Sequence, residues 1–303
     1  MSEGQEYYPY KKTGIALHLL LVLVLLGGIG FLLFLVFSRP AGWPLAIYLL
    51  VTLLLLALLP LIAYRGYALY RALYVIERDG LRVRWGLRSE DLPLTEVLWV
   101  RPASDLITPL TLPKFSMPGA ILGTSSHKEL GELEFIASKT ADLVIVAAVE
   151  KTLVLSPQDP EEFSRRFQRV IEMGSLAPIA PYTTIPAAYM QSVFQDQLAK
   201  TLLAISILLT LLFLIVTSIL IPFRSMVSIG YDFNAVSLPA VPANRLLMLP
   251  ILALFFMVVN VISGFFFYRR KETRTITYFV WAAGILTPLL LFVSVLLIFL
   301  NPV

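Results

Sequence analysis

Five stretches of the chain are almost continuously apolar, and each is long enough to cross a bilayer. They cover residues 15–37, 44–64, 202–221, 246–268 and 276–300, and none has Asp, Glu, Lys or Arg well inside it. A membrane-spanning helix needs about 20 predominantly apolar residues. The pattern therefore predicts five transmembrane helices.

Residues 68–173 carry a different pattern, in which apolar and polar positions alternate. Leu81, Val83 and Trp85 alternate with arginines, which predicts a β-hairpin with one apolar and one basic face. We place Arg82, Arg84 and Arg88 together on the basic face. Further strands are predicted in the stretches "LTEVLWV", "GELEFIAS", "DLVIVAAV" and "KTLVLS".

The stretch "LSPQDPEEFSRRFQRVI", residues 155–171, predicts a helix after these strands. Ser156 or Asp159 can cap it, and Pro160 suits its first turn. Its apolar residues recur at helical spacing and form one stripe, which predicts that the helix closes the strands; they are Phe163, Phe167, Val170 and Ile171.

These patterns predict an α-helical membrane protein with an inserted α+β domain. An N-terminal tail and two transmembrane helices occupy residues 1–67, and the inserted domain occupies 68–173. A proline-rich linker and an interfacial helix follow over 174–199. Three transmembrane helices complete the chain over 200–303, with an external loop at 222–245.

Composition and charge agree with a membrane protein and suggest its orientation. The mean hydropathy is +0.80 and only 15% of residues are charged. The inserted domain has 13 Lys and Arg against 15 Asp and Glu, so the net charge of +4 comes from residues flanking the apolar stretches. Because basic residues are retained on the cytosolic side, we expect the N-terminus and the inserted domain in the cytosol and the C-terminus outside.

Few residues could carry catalysis or bind a metal. The chain has no cysteine and only two histidines, His18 and His127, which excludes disulfides, thiolate metal sites and cysteine nucleophiles. Ser125 and Ser126 lie next to His127, but a catalytic triad is a spatial arrangement that sequence neighbours do not establish. We predict no enzyme activity, no catalytic residue, no metal site and no cofactor.

Three stretches of the inserted domain resemble bacterial pleckstrin-homology-like (PH-like) domains. They are "YVIERDGLRVRWGL", "DLPLTEVLWV" and "LVLSPQDPEEFSRRFQRVI". The resemblance implies a β-barrel or sandwich closed by a C-terminal helix, in a protein of the bacterial cytoplasmic membrane. It also implies partner binding, self-assembly or envelope stress signalling rather than catalysis.

A second resemblance covers about residues 200–300. The stretch "DFNAVSLPAVPANRLLMLPILAL" is similar to the external loop and following helix of SdpI-like membrane proteins. It begins with Asp232, Phe233 and Asn234, our candidate residues in the external loop. The chain departs from the SdpI-like pattern in having Tyr231-Asp232 where a histidine is common and Ser237 where a glycine is usual.

The sequence thus favours a non-catalytic, membrane-anchored interaction, assembly or regulatory subunit. Its expected partners are membrane lipids and another protein or further copies of the chain, and nucleic-acid binding is not predicted. The candidate contacts with lipid or a partner are Arg78, Arg82, Arg84 and Arg88, and the candidate helix-packing residues are Gly27, Gly28, Gly30 and Asn260. The alternatives are a small-molecule or ion transporter subunit and an envelope-stress or immunity-type membrane sensor.

Overall fold

The computed structural model describes residues 4–39, 42–114, 116–175, 179–184, 192–230 and 238–300. The chain divides into two compact units. One comprises Met1–Gly27 with Leu56–Pro186, and the other comprises Gly28–Leu55 with Ala187–Val303. Each unit is described by itself below.

Ten strands among the described residues build the first unit, and we call the part that they form the β domain. In chain order they are β1 (Gln5–Tyr7), β2 (Leu73–Glu77), β3 (Gly80–Trp85), β4 (Arg88–Pro93), β5 (Val97–Pro102), β6 (Ile121–His127), β7 (Gly131–Ala137), β8 (Val144–Ala148), β9 (Thr152–Leu155) and β10 (Tyr182–Thr184).

The first sheet is antiparallel, with the strand order β1-β2-β3-β4-β10. Both of its edge strands come from outside the range 68–173 predicted for the domain. At one edge Tyr7 of β1 lies opposite Tyr74 of β2. At the other edge Thr183 of β10 lies opposite Glu90 of β4. Segments predicted as tail and linker therefore complete this sheet.

The second sheet has the order β5-β8-β9-β7-β6, in which β7 and β9 are parallel and the other pairs are antiparallel. The ladders described for the β domain give two separate sheets. The predicted sheet-rich domain is thus confirmed, whereas closure into a barrel stays a prediction.

The helix α3 (Pro160–Met173) packs its apolar stripe into a core that both sheets share. Phe163 and Phe167 are completely buried there, as predicted. Asp159 caps the helix by accepting a 2.8 Å hydrogen bond from the Glu162 amide. Ser156 has another role, because it is buried and its Oγ accepts a 2.7 Å bond from the Ser138 amide.

A buried tyrosine adds a polar link to this core. Tyr74 is completely buried, and its hydroxyl donates a 2.7 Å hydrogen bond to the Ile136 carbonyl of the second sheet. Burial raises the pKa of the Tyr74 phenol, so that it stays protonated as a donor. The bond satisfies a group whose burial would otherwise be costly.

The other face of the second sheet is also buried. Its core residues include Phe135 and Ile145, and Leu106 and Leu110 of the segment between β5 and β6 pack against them. This segment is rich in Pro, Ser and Thr. It runs over the sheet and is fastened by the Ala103 amide, which donates a 2.7 Å bond to the Leu143 carbonyl.

Five helices among the described residues are long and apolar enough to cross a membrane, which confirms the predicted number. They are α1 (Lys12–Ser38), α2 (Trp43–Tyr70), α4 (Gln197–Leu220), α5 (Met248–Tyr268) and α6 (Arg274–Leu300). The interfacial helix predicted before α4 is described only from residue 192, and residues 192–195 are helical.

Helices α4, α5 and α6 pack together in the second unit, and we call them the three-helix group. Glycines allow the close contacts. A Cβ built on Gly264 of α5 would lie 2.0 Å from Nε1 of Trp281 in α6. A Cβ on Gly284 of α6 would lie 2.7 Å from the Ser206 hydroxyl of α4. A side chain at Gly264 would displace the Trp281 indole, and one at Gly284 would displace the Ser206 hydroxyl.

Asp196 ties the start of α4 to the other two helices. It caps α4 through the Ala199 amide and accepts hydrogen bonds from the hydroxyls of Tyr268 (3.0 Å) and Tyr278 (2.6 Å). Burial acts to raise the pKa of the Asp196 carboxyl, but these hydrogen bonds outweigh burial and hold it below its usual value. The group is therefore a charged acceptor at neutral pH.

Candidate interaction surfaces

A groove on the surface of the β domain is a candidate binding site. Its volume is about 710 Å³, and it lies between the segment that follows β5, the residues before β8 and the start of α3. Apolar lining comes from Leu110 and Leu143. Three exposed carboxylates line the same space: Asp105, Asp142 and Glu161. We call this site the acidic groove.

The local structure around the acidic groove fixes these carboxylates. Pro102 ends β5, and residues Ala103–Asp105 form one turn of 3-10 helix. Asp142 adopts a φ of 51°, in the left-handed region that Asp tolerates better than most residues. Its carboxylate pairs with Lys139 at 2.7 Å. Glu161 follows Pro160 in the first turn of α3.

The segment over the sheet is held at its far end by polar contacts with β6 and the turn that follows it. The Thr111 hydroxyl donates a 3.0 Å bond to the Ser126 carbonyl, and the Ser125 hydroxyl donates a 2.6 Å bond to the Thr111 carbonyl. The Thr108 hydroxyl donates a 2.7 Å bond to Glu129. These bonds occupy the outer edge of β6 and hold the wall of the acidic groove in place.

The arginines predicted to contact lipid or a partner do not form one surface. Arg82 pairs with Glu77 at 3.3 Å, and Arg84 pairs with Asp91. Both side chains remain more than one-third exposed. Arg78 lies in the two-residue turn between β2 and β3.

Arg88 lies on the opposite face of the first sheet, which corrects its predicted place beside Arg82 and Arg84. The chain reverses at Gly86 and Leu87, so that Arg88 lies opposite Trp85, a core residue. Residues opposite each other in a hairpin project to the same face. The alternation along β3 therefore does not continue through the turn to Arg88.

Arg88 belongs instead to a buried ionic cluster, which we define as Arg88, Glu90, Glu134, Lys151 and Thr183. Arg88 bonds Glu134 at 2.6 Å and Glu90 at 3.5 Å. Glu90 has no exposed surface, and it also accepts bonds from Lys151 and from the Thr183 hydroxyl at 2.6 Å. The two cations and two carboxylates balance, and they join both sheets and β10.

The predicted helix-packing residues have different surroundings. A Cβ on Gly28 would lie 3.2 Å from Leu55, whereas none of the described atoms lies within 4 Å of one built on Gly27 or Gly30. The amide nitrogen of Asn260 would lie 3.4 Å from a Cβ on Gly284, so Asn260 faces the α5–α6 contact. A second chain packing on Gly27 and Gly30 stays a prediction.

The predicted external loop is only partly described. Asp232, Phe233 and Asn234 lie outside the described residues. On either side of them Met226–Val227 pairs with Val241–Pro242 in a short antiparallel ribbon. Among the described residues no group of three His, Asp or Glu side chains could hold a metal ion.

The sequence analysis did not find the acidic groove, the buried ionic cluster or the two edge strands. Leu106 and Leu110, four residues apart between prolines, were the available signal that the segment after β5 packs on a sheet. The cluster gave no signal, because its members lie up to 95 residues apart along the chain, from Arg88 to Thr183.

Comparison with known proteins identifies the central part of the β domain. No curated protein and no solved structure matches the chain. The resemblance to SdpI-like proteins therefore stays a prediction. Residues 72–171, about a third of the chain, match the family model described as the bacterial PH domain. This confirms the predicted resemblance to bacterial PH-like domains over these residues, which run from the start of β2 to near the end of α3.

Proposed function

We propose that the protein is a membrane-anchored, non-catalytic interaction or assembly subunit that binds a partner protein through its PH-like domain. The acidic groove carries this proposal. It combines an apolar floor, Leu110 and Leu143, with Asp105, Asp142 and Glu161. This combination is complementary to a partner segment that carries Lys or Arg beside apolar side chains.

The charge of the groove separates this partner from an anionic lipid headgroup. Three carboxylates with one paired lysine, Lys139, repel a phosphate and attract a cation. The arginines that suggested headgroup binding, Arg82 and Arg84, are already neutralised by acidic partners. A basic segment of a protein is therefore the occupant that we propose for the groove.

The positions of the edge strands β1 and β10 support the proposal that partner binding also has a regulatory effect. β1 leads into α1 through residues 8–11, and β10 precedes the linker to α4. Both strands pair directly with the first sheet, and Thr183 of β10 bonds the buried Glu90. A change in the domain on partner binding would therefore act on chain segments next to apolar helices.

Site-specific crosslinking in the full-length protein tests the proposal. We would place a photoreactive amino acid at Ser104, in the groove lining, and compare adducts in native membranes. The double substitution Asp105→Lys with Glu161→Lys should abolish a specific adduct by reversing the charge. The control Glu150→Lys with Glu172→Lys makes the same charge change at exposed positions outside the groove lining and should retain the adduct.

Loss of the adduct in both variants would show that net charge alone attracts the partner and would contradict the proposal. A groove variant that crosslinks as well as the unmodified groove would also contradict it. The unfolding temperature of each variant should stay within a few degrees of wild type, since all four positions are exposed or partly exposed.

A further inference from the structure

A cavity of about 380 Å³ lies at the turn between α5 and α6. Its lining divides by chemistry. Phe266 and Phe267 belong to the last turn of α5, whereas Arg269, Arg270 and Thr273 belong to the turn that follows. The cavity is thus apolar where the apolar helix ends and cationic just beyond that end.

Backbone and hydroxyl bonds fix the shape of this turn. The Arg270 amide donates to the Phe267 carbonyl at 3.4 Å, and the Thr273 amide donates to the Arg270 carbonyl at 3.1 Å. The Thr273 hydroxyl donates a 2.5 Å bond to the Phe267 carbonyl. Arg269 and Arg270 therefore project from a bonded turn rather than from a loose loop.

Both arginines remain available to a ligand. In the part of the chain that the structure describes, no carboxylate lies within ion-pair distance of Arg269 or Arg270, and both residues are exposed. Arg274, four residues after Arg270, instead stacks on the Tyr268 ring at 4.7 Å. A guanidinium presents a planar set of donors that matches two oxygens of a phosphate.

The apolar wall narrows the choice of phosphate. Phe266 is 67% exposed at the end of a helix long enough to cross a bilayer. A soluble phosphate would leave the Phe266 ring exposed, whereas the acyl chain of a lipid would cover it. At the end of a spanning helix a phosphodiester also lies at the depth of the lipid headgroups.

We propose that the α5–α6 turn binds an anionic phospholipid, with its phosphodiester held by Arg269 and Arg270 and an acyl chain along Phe266. The proposal depends on α5 and α6 spanning a membrane, and it is independent of the partner proposed for the acidic groove. The sequence analysis placed the candidate lipid contact at arginines of the PH-like domain. The site proposed here lies in the other unit of the chain instead.

The test uses the full-length protein in nanodiscs of mixed phosphatidylglycerol and phosphatidylcholine. After mild delipidation, native mass spectrometry measures the ratio of the two lipids that remain bound. For Arg269→Gln with Arg270→Gln we expect the retained phosphatidylglycerol to fall about tenfold or more, as expected for the loss of charged hydrogen bonds. Arg269→Lys with Arg270→Lys keeps both positive charges but loses the planar guanidinium groups. The phosphatidylglycerol that it retains should lie between that of the double Gln variant and that of wild type.

The matched control is Lys12→Gln with Arg71→Gln, which removes two exposed charges at the ends of α1 and α2. It should change retention by less than about twofold, because a solvated charge without a built site contributes little. An equal loss in both double variants would reveal diffuse attraction and overturn the proposal. No loss at Arg269 and Arg270 would overturn it as well.

Competition identifies the source of the phosphate. Inorganic phosphate at millimolar concentration should leave phosphatidylglycerol bound, because the acyl chain contributes to affinity. Displacement of the lipid by inorganic phosphate alone would assign the cavity to a soluble anion and overturn the lipid proposal.

Discussion

The β domain and the three-helix group bury different proportions of large apolar and small polar side chains. The core of the β domain contains large apolar residues such as Trp85, Phe163 and Phe167. Helix α4 also buries apolar residues, but half of its eight buried residues are small and polar, and these are Ser206, Thr210, Thr217 and Ser218. The helices approach each other at Gly264 and Gly284.

The difference follows from what surrounds each region. A domain in water gains free energy by removing apolar surface from solvent, at about 25 cal/mol per Å². Helices in a bilayer gain little in this way, because lipid is as apolar as their side chains, and they depend on close packing and hydrogen bonds. The two regions should therefore fail in response to different substitutions, which the next three predictions test.

The largest effect should come from a charge in the core of the β domain. Phe163→Asp removes a completely buried ring and buries a carboxylate. We expect the free energy of unfolding to fall by more than about 3–5 kcal/mol, so that the domain is unfolded. Limited proteolysis of the membrane-embedded protein measures this. The five apolar helices should still insert, since their sequences are unchanged.

Gln168→Asp is the matched control, because Gln168 lies on the same helix and is exposed. The control domain should resist protease as the wild type does. Equal protease resistance of Phe163→Asp and wild type would show that α3 does not stabilise the core.

The second effect should come from the buried ionic cluster. Glu90→Ala removes the carboxylate that Lys151 and Arg88 both contact. We expect this to lower the free energy of unfolding by about 3–5 kcal/mol. Its neighbour Asp91 pairs with a partly exposed arginine, Arg84, so Asp91→Ala should cost only about 0–1 kcal/mol. Denaturant unfolding of the two variants, followed by tryptophan fluorescence, measures the difference.

Similar losses for Glu90→Ala and Asp91→Ala would mean that burial of the cluster does not matter for stability. The neutral variant Glu90→Gln separates charge from shape, since it keeps the volume and one acceptor. We expect its free energy of unfolding to lie between those of Glu90→Ala and the wild type.

The smallest of the three effects should come from the glycine contact in the three-helix group. Gly264→Ala places a methyl group against the Trp281 indole, and overpacking of this kind costs about 1–3 kcal/mol. Thermal unfolding in detergent should show a lower midpoint. Gly27→Ala adds the same methyl group in open space and should not lower the midpoint.

A lower midpoint for Gly27→Ala would have its own meaning. It would indicate that α1 contacts another molecule at that position, as the sequence analysis expected of Gly27 and Gly30. An unchanged midpoint for Gly264→Ala would contradict the close packing of α5 and α6.

Sequence patterns predicted the long, periodic elements and missed features that depend on tertiary contacts. The five apolar helices and α3 were found because each repeats a signal over several turns. The strands β1 and β10 have only three residues each, which is too short for alternation to be recognised. Their place is decided by β2 and β4, the strands against which they pair.

The arginines show the same limit at the level of a site. The alternation in β3 correctly separated Arg82 and Arg84 from the core residues beside them. It could not show that both pair with acidic residues, or that Arg88 turns inward to Glu134. Ion pairing depends on neighbours across strands, which a single strand's pattern does not contain.

The edge strands impose an order on assembly. β1 is synthesised first but needs β2, which begins only after both α1 and α2 have been made. The sheet is completed at its other edge only when β10 has been synthesised, more than 170 residues after β1. A chain folding during synthesis must therefore place its first two apolar helices before the first sheet can close its N-terminal edge. A chain in which α1 and α2 were not placed side by side would hold β1 away from β2 and leave this edge of the sheet unpaired.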